Sequence, residues 1–134
     1  MKTYIKIGML SAALVWSVSA YAEGDVAHDV AHGEQVFTQC LVCHSIGGGV
    51  GPAQNGVYGS AAASREGYNY SLAMKEAGEK GLWWNDANLD KFLENPKAVV
   101  PGTKMLFPGL KNEKDRQDVI AYLKANPLGR WHLR

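Results

Sequence analysis

The residues with the clearest chemical potential stand together in the segment Cys40-Leu41-Val42-Cys43-His44. A Cys-x-x-Cys pair can act as a thiol–disulfide redox centre, but that function is expected beside a βαβ unit, which this sequence does not predict. A zinc site would need further ligands. The other histidines lie near the two ends of the chain: His28, His32 and His132. The Cys-x-x-Cys-His pattern is instead typical of covalent c-type haem attachment, because two nearby thiols can each add to a vinyl group while the histidine reaches the iron.

Haem iron held by one histidine needs a second axial ligand or leaves an open site. Once an N-terminal export signal is removed, only Met74 and Met105 remain as sulfur ligands. Met74 lies in a helix-like segment, where a methionine is more often part of the core. Met105 follows Pro101-Gly102 in a loop far along the chain from His44, from which it can approach the opposite side of the ring. The sequence therefore favours Met105.

The first 22 residues have the pattern of an export signal. Lys2 and Lys6 precede an uncharged, mostly apolar run from Ile7 to Val18, and Ala20-Tyr21-Ala22 gives a small-x-small cleavage site. We therefore expect a secretory signal peptide at residues 1–22, cleavage after Ala22, a mature domain at residues 23–134 and a periplasmic location. The alternative is a retained N-terminal membrane anchor, for which the run is short, since a span needs about 20 apolar residues.

Length and charge narrow the class of protein. With 134 residues, 46% of them hydrophobic and 20% charged, the chain fits one globular domain. Removing residues 1–22 takes away two lysines and no acid, so the formal net charge changes from +1 to −1. A charge so close to zero offers no electrostatic reason to bind nucleic acid. Two cysteines are too few for a disulfide-framed domain.

The elements that must position these groups are helices and loops. Residues 45–61 are dense in glycine and proline and predict a loop. No alternating pattern predicts a strand, so we expect an all-α fold of three to five helices joined by long loops, wrapped around something large and apolar. The predicted helices are Ala31–Cys40, Ser71–Ala77, one capped by Asn85 that stops by Asn95, and one capped by Asn112 with Lys124 in its last turn.

The stretch from Gly33 to Ala125 resembles a soluble class I cytochrome c of the bacterial and mitochondrial type. The motifs that carry this resemblance are Cys40–His44, Gly51-Pro52, Gly67–Ser71, Trp84, Leu93–Lys97, Pro101–Met105 and Asp118–Leu123. The resemblance implies one haem c, attached through two thioethers, with the chain wrapped around it. It also implies that Gly33 and Phe37 on the first helix pack against Tyr122 on the last.

The same resemblance implies roles for individual site residues. Cys40 and Cys43 would carry the haem, and His44 and Met105 would bind the iron. The Pro52 carbonyl would accept a hydrogen bond from the His44 ring.

Two aromatic residues, Tyr70 and Trp84, would hydrogen-bond a haem propionate. Four positions depart from the family pattern. Phe92 stands where a tyrosine often offers a hydroxyl near the methionine sulfur, and Met74 replaces a polar residue that often joins a buried water network. Ser60 stands where an arginine often supports a propionate, and Gln54 stands where an apolar residue is usual. These departures concern the reduction potential rather than the fold.

A haem with both axial positions filled has no vacancy for a substrate and exchanges one electron. We therefore expect a monomeric one-electron carrier between redox protein partners, membrane-bound complexes included, and no enzyme. Neither nucleic acid nor a small-molecule substrate is expected as a partner. The alternative is a haem subunit or sensor within a larger redox complex, or a weak peroxidase after the Met105 ligand is lost.

Overall fold

The computed structural model describes residues 28–45 and 49–126. The predicted signal peptide and its cleavage site lie outside these residues. Within them, five α-helices and one short 3-10 helix carry the fold, and the only β pairing is an isolated bridge between Ala61 and Trp83. The elements are α1 Val30–Phe37, a 3-10 helix Thr38–Val42, α2 Leu72–Glu79, α3 Asp86–Glu94, α4 Pro96–Val99 and α5 Glu113–Ala125. The all-α prediction is confirmed.

Polar side chains begin the longer helices by accepting hydrogen bonds from backbone N–H groups that have no partner inside the helix. The Asn85 side chain caps α3 through the N–H of Asn88, and Asn112 caps α5, as the sequence predicts. The helix α4 was not predicted. Asn95 ends α3 and its side chain also caps α4, whose first residue is Pro96. A proline that stops one helix is well suited to begin the next, because the first helical position needs no N–H donor.

The first predicted helix changes its winding before it reaches the cysteines. The α-helical part ends at Phe37, and the chain continues as a 3-10 helix to Val42. Tighter winding of this kind is common at the end of an α-helix. Cys40 therefore lies on the 3-10 turn, and the N–H groups of Cys43 and His44 both reach the Cys40 carbonyl, at 3.1 Å and 2.8 Å.

The helices α1 and α5 cross at Gly33, and this crossing closes the fold. A Cβ atom on Gly33 would lie 2.0 Å from the Asp118 carbonyl oxygen and 2.9 Å from Cβ of Tyr122, so no side chain fits between the helices. The rings of Phe37 and Tyr122 pack at 5.3 Å between centroids. The packing implied by the family resemblance is present.

A buried carboxylate ties the same two helices together. Asp118, 1% exposed, accepts hydrogen bonds from the Asp29 N–H at 2.9 Å, from Nδ1 of His32 at 2.8 Å and from the Lys114 ammonium. Burial acts to raise the pKa of Asp118, but these donors outweigh it and lower the pKa to about 2. Asp118 is therefore ionised near neutral pH and joins both helices by charge-assisted bonds.

Two hydrophobic clusters form the core, and a cavity separates them. One cluster contains Met74, Trp84, Leu89 and Phe92, and the other contains Phe37, Val119 and Leu123. Side chains from both clusters line a single cavity of about 670 Å³. Residues of the two long loops, 43–71 and 100–112, also line this cavity.

Candidate functional site

All seven residues singled out from the sequence line the cavity between the two clusters. One of them lies in the 3-10 helix, and the others come from three loops, of which one is the short segment before α3. These residues are Cys40, Cys43, His44, Pro52, Tyr70, Trp84 and Met105. Most of the remaining wall is apolar, so the cavity combines a few polar groups with a large hydrophobic surface, as sites for bulky organic cofactors do.

Both cysteines are free thiols in this structure, and the surroundings of Cys40 disfavour the thiolate that disulfide exchange needs. Burial, followed by the neighbouring charge of Cys43, raises the pKa of Cys40 to about 11. A thiol–disulfide oxidoreductase needs a thiol with a lowered pKa, because the thiolate is the nucleophile. The structure therefore does not favour the thiol redox interpretation of this pair.

The imidazole of His44 is buried and held in one orientation. Its Nδ1 lies 2.6 Å from the Pro52 carbonyl oxygen, so Nδ1–H donates and Nε2 keeps its lone pair for a metal. Gly51 makes room for the ring, because a Cβ there would lie 2.5 Å from Cε1 of His44. Burial lowers the pKa of His44, although the hydrogen bond to Pro52 acts in the opposite direction. A lowered pKa favours the neutral imidazole, which is the form that binds metals.

Gln54 gives His44 a second polar neighbour. Its side-chain nitrogen is placed 2.7 Å from Nδ1 of His44 and 3.4 Å from the Pro52 oxygen. Nδ1 carries one hydrogen, which it donates to the Pro52 oxygen, so Nδ1 cannot also accept a hydrogen from the Gln54 side-chain nitrogen. The Gln54 amide therefore fits better with its oxygen and nitrogen exchanged, so that the oxygen faces Nδ1. The sequence marked Gln54 as unusual for the family, but only the folded chain brings it to the His44 ring.

The two candidate sulfur ligands occupy different surroundings. Met74 lies in α2, is 8% exposed and belongs to the buried core cluster. Met105 is half-buried in a loop, where its N–H donates to the Thr103 hydroxyl. Lys104 also holds this loop, since its ammonium donates to the Asn69 carbonyl at 2.9 Å. Both sulfur side chains line the cavity.

Trp84 and Tyr70 also line the cavity, and each side chain carries a hydrogen-bond donor. The Trp84 ring packs on Phe92 at 4.8 Å, and its backbone pairs with Ser60 at 2.9 Å. In the described part of the chain, no group accepts a hydrogen bond from the Trp84 indole N–H. Burial raises the pKa of Tyr70, and the backbone N–H and charge of Arg65 act in the opposite direction.

Arg65 is a cavity residue that the sequence did not single out. It follows the turn at Ala62 and Ala63, and its guanidinium donates to the backbone and side-chain oxygens of Asn55. Nothing local marks this residue, because an arginine in a polar loop is ordinarily a solvated charge. Only the path of the folded loop places it against the cavity.

These donors and walls fit one kind of group. The cavity is large and apolar, a histidine and a methionine reach it from different loops, and two thiols stand on its edge. Among the described residues, no cluster of three His, Cys, Asp or Glu side chains could hold a bare metal ion. An all-α domain with a Cys-x-x-Cys-His segment on the wall of such a cavity has the features of a small c-type haem protein.

Comparison with known proteins agrees. The sequence model of the family described as Cytochrome c matches residues 30–127. A cytochrome c2 of Rhodomicrobium vannielii is 63% identical over 123 residues, which cover 89% of this chain and 93% of that protein. A second cytochrome c2, from Afifella marina, is 52% identical over 100 residues, which cover 72% of this chain and 81% of that protein. The chain belongs to the cytochrome c family.

Solved structures support the same assignment. Cytochrome cH from Methylobacterium extorquens is 45% identical, with a TM-score of 0.67, and the match covers 72% of this chain and 98% of that one. Cytochrome c2 from Rhodospirillum centenum is 37% identical, with a TM-score of 0.69, and the match covers 73% and 98% of the two chains.

Membership of this family establishes the main chemistry. The chain carries one covalently attached c-type haem, transfers electrons to redox partners and is not an enzyme. The predictions of haem c and of electron transport are confirmed. No helix in the described ranges is long and apolar enough to cross a bilayer, the longest having 13 residues.

Proposed function

We propose that Cys40 and Cys43 form the two thioether bonds to the haem and that His44 and Met105 are its axial ligands. The observation that carries this proposal is the shared cavity, which both thiols, the oriented His44 imidazole and the Met105 side chain line together. Met105 is preferred to Met74 because it lies half-buried in a loop, whereas Met74 is packed into the core.

The haem iron supplies a one-electron couple, and the protein residues fix its surroundings. Pro52 holds the His44 ring in one orientation by accepting its Nδ1 hydrogen, which leaves Nε2 for the iron. Tyr70 and Trp84 provide hydrogen-bond donors for the haem propionates. The two core clusters supply much of the apolar wall of the cavity. A mostly apolar wall suits an electron carrier, because few polar groups have to reorient when the charge changes.

The protein acts as a periplasmic shuttle, exported by the signal at residues 1–22 and functional as residues 23–134. The sequence pattern at Lys2, Lys6 and Ala20-Tyr21-Ala22 supports this proposal. The partners are electron donors and acceptors among redox proteins, including membrane-bound complexes, and the carrier acts as a monomer. The intact mass of protein from the periplasmic fraction tests the cleavage site, since it must equal residues 23–134 plus one haem.

Substitution of Met105 tests the ligand assignment. Met105→Ala is expected to abolish the weak sulfur-to-iron charge-transfer band at the red end of the oxidised spectrum and to lower the reduction potential. The potential falls because a thioether favours ferrous iron relative to water. Absorption spectra and a redox titration of the purified holoprotein measure both effects.

The matched control is Met74→Leu, a change that keeps an apolar side chain of similar volume in the core. This variant is expected to retain the band. Loss of the band in Met74→Leu, with retention in Met105→Ala, would reverse the assignment. A haem-stained denaturing gel of Cys40→Ser and Cys43→Ser variants tests the attachment sites independently of the axial ligand.

A further inference from the structure

Arg65 differs from the other strongly held cations of the molecule. Arg116 is buried and pairs with Asp90 at 2.7 Å. Arg65 is half-buried, yet within residues 28–45 and 49–126 no carboxylate lies within ion-pair distance of it. No fully buried side-chain nitrogen of the described residues lacks a hydrogen-bond partner, so the guanidinium nitrogens of Arg65 without a partner remain accessible. A half-buried, accessible guanidinium of this kind can bind an anion by charge-assisted hydrogen bonds.

The hydrogen bonds of Arg65 leave part of its donor capacity free. The Nη2 group donates to the Asn55 backbone oxygen and, at 3.0 Å, to the Asn55 side-chain oxygen. No other described residue accepts a hydrogen bond from Nε or Nη1. A guanidinium has five N–H donors in a planar fork that matches a carboxylate. Asn55 thus anchors one arm of the fork while the rest remains available to a ligand group.

The backbone directs this side chain to the cavity. Ala63 has a φ of 59°, the only positive value among the described non-glycine residues, and such a conformation costs about 1–2 kcal/mol for a residue with a Cβ. Two residues after this turn, Arg65 lines the same cavity as Tyr70 and Trp84.

The other charged groups at the cavity do not supply a buried cation. Lys104 also lines it, but its ammonium is exposed and donates to the Asn69 carbonyl. Glu66 is exposed and forms no ion pair with Arg65. Ser60, which stands where the family often has an arginine, donates its hydroxyl to the Val57 carbonyl at 2.7 Å. Among the described charged residues that line the cavity, Arg65 is therefore the half-buried cation.

We propose that Arg65 binds a haem propionate and supplies, from a different position in the loop, the positive charge that Ser60 does not provide. This proposal rests on the haem site described above. A cation beside the propionates disfavours the additional positive charge of ferric haem, so Arg65 raises the reduction potential. A serine at position 60 leaves the propionates without a cation there, which by itself lowers the reduction potential, and Arg65 offsets this effect.

The test compares reduction potentials of purified holoprotein variants. Arg65→Gln is expected to lower the equilibrium constant for reduction on the order of tenfold, which corresponds to about 59 mV for a one-electron couple. Arg65→Lys keeps the charge and is expected to remain close to the parent. Adding Ser60→Arg to Arg65→Gln restores a cation at the family position and is expected to recover part of the loss.

A matched control separates charge from loop support. Asn55→Ala removes the side-chain anchor of Arg65 while leaving the backbone oxygen and the charge, and is expected to leave the potential nearly unchanged. The proposal is overturned if Arg65→Gln has the potential of the parent. It is also overturned if the potential falls but neither Arg65→Lys nor Ser60→Arg recovers it, since that result indicates loop support alone.

Failure of the axial-ligand assignment would be visible separately. The haem-stained gel and the sulfur-to-iron charge-transfer band of the parent report on haem attachment and on Met105. The Arg65 comparison is the difference between each variant and the parent, so it can be interpreted whichever sulfur binds the iron.

Discussion

At the scale of single residues, the site depends on which hydrogen bonds reach the His44 ring. The Pro52 carbonyl accepts the Nδ1 hydrogen, and the Gln54 amide lies beside the same nitrogen at 2.7 Å. A second acceptor pulls the hydrogen further from the imidazole and makes the ring a stronger electron donor to the iron. Gln54 is therefore expected to stabilise ferric haem.

Gln54→Leu is accordingly expected to raise the reduction potential, because the apolar side chain leaves Pro52 as the only acceptor for the Nδ1 hydrogen. A redox titration measures the change, and the Nδ1–H proton resonance of the reduced protein reports on the hydrogen bond itself. Gln54→Glu is the opposing variant, with a stronger acceptor and a lower expected potential. Equal potentials in all three proteins would remove any role of Gln54 in tuning the ligand.

At the scale of elements, the crossing of α1 and α5 leaves no room for a side chain at Gly33. Gly33→Ala places a Cβ 2.0 Å from the Asp118 carbonyl oxygen, so the helices must separate. We expect a loss of roughly 1–3 kcal/mol in the free energy of unfolding, the usual cost of overpacking. Denaturant unfolding of the holoprotein measures it. Gln35→Ala, on the exposed side of the same helix, is the control and is expected to have little effect.

The hydrogen bonds of Asp118, which join α1 and α5, predict how the stability of the fold depends on pH in acid. The pKa of Asp118 in the folded protein is about 2, below its ordinary value of 3.8. A lowered folded-state pKa means that this carboxylate stabilises the fold fully above its unfolded pKa, and that the contribution is lost as the pH falls from about 4 towards 2.

Asp118→Asn is expected to lower the stability at neutral pH and to flatten the decline in stability over this acidic range. Denaturant unfolding at a series of pH values checks both effects. An unchanged acid dependence in Asp118→Asn would mean that other carboxylates determine it.

Some features of the helices and loops could be predicted from the sequence, and others could not. The caps Asn85 and Asn112 and the end of α3 at Asn95 were predictable, because capping is a local hydrogen bond between residues a few positions apart. The place of Arg65 was not predictable. It depends on the left-handed turn at Ala63 and on Asn55, and neither contact leaves a periodic or compositional signal.

At the scale of the whole molecule, the two core clusters need something between them. The cavity of about 670 Å³ has a mostly apolar wall, and contact of such a wall with water is unfavourable. The haem is thus part of the core as well as the redox centre.

The double variant Cys40→Ser with Cys43→Ser is therefore expected to lose most of its helical circular dichroism along with the covalent haem. The matched comparison is the single variant Cys40→Ser, which can keep one thioether and is expected to retain more of the fold. A haem-free double variant with the helical signal of the parent would contradict the idea that the haem completes the core.

The crossing of α1 and α5 also fixes when the chain can fold. His32 and Asp118, which bond across it, are 86 positions apart in the sequence. A chain that is made or exported with its N-terminus first cannot close this contact until its last helix has emerged. Throughout that interval the segment around Cys40 remains open to the machinery that attaches the haem. The order of emergence therefore favours attachment before closure, when Cys40 is not yet half-buried.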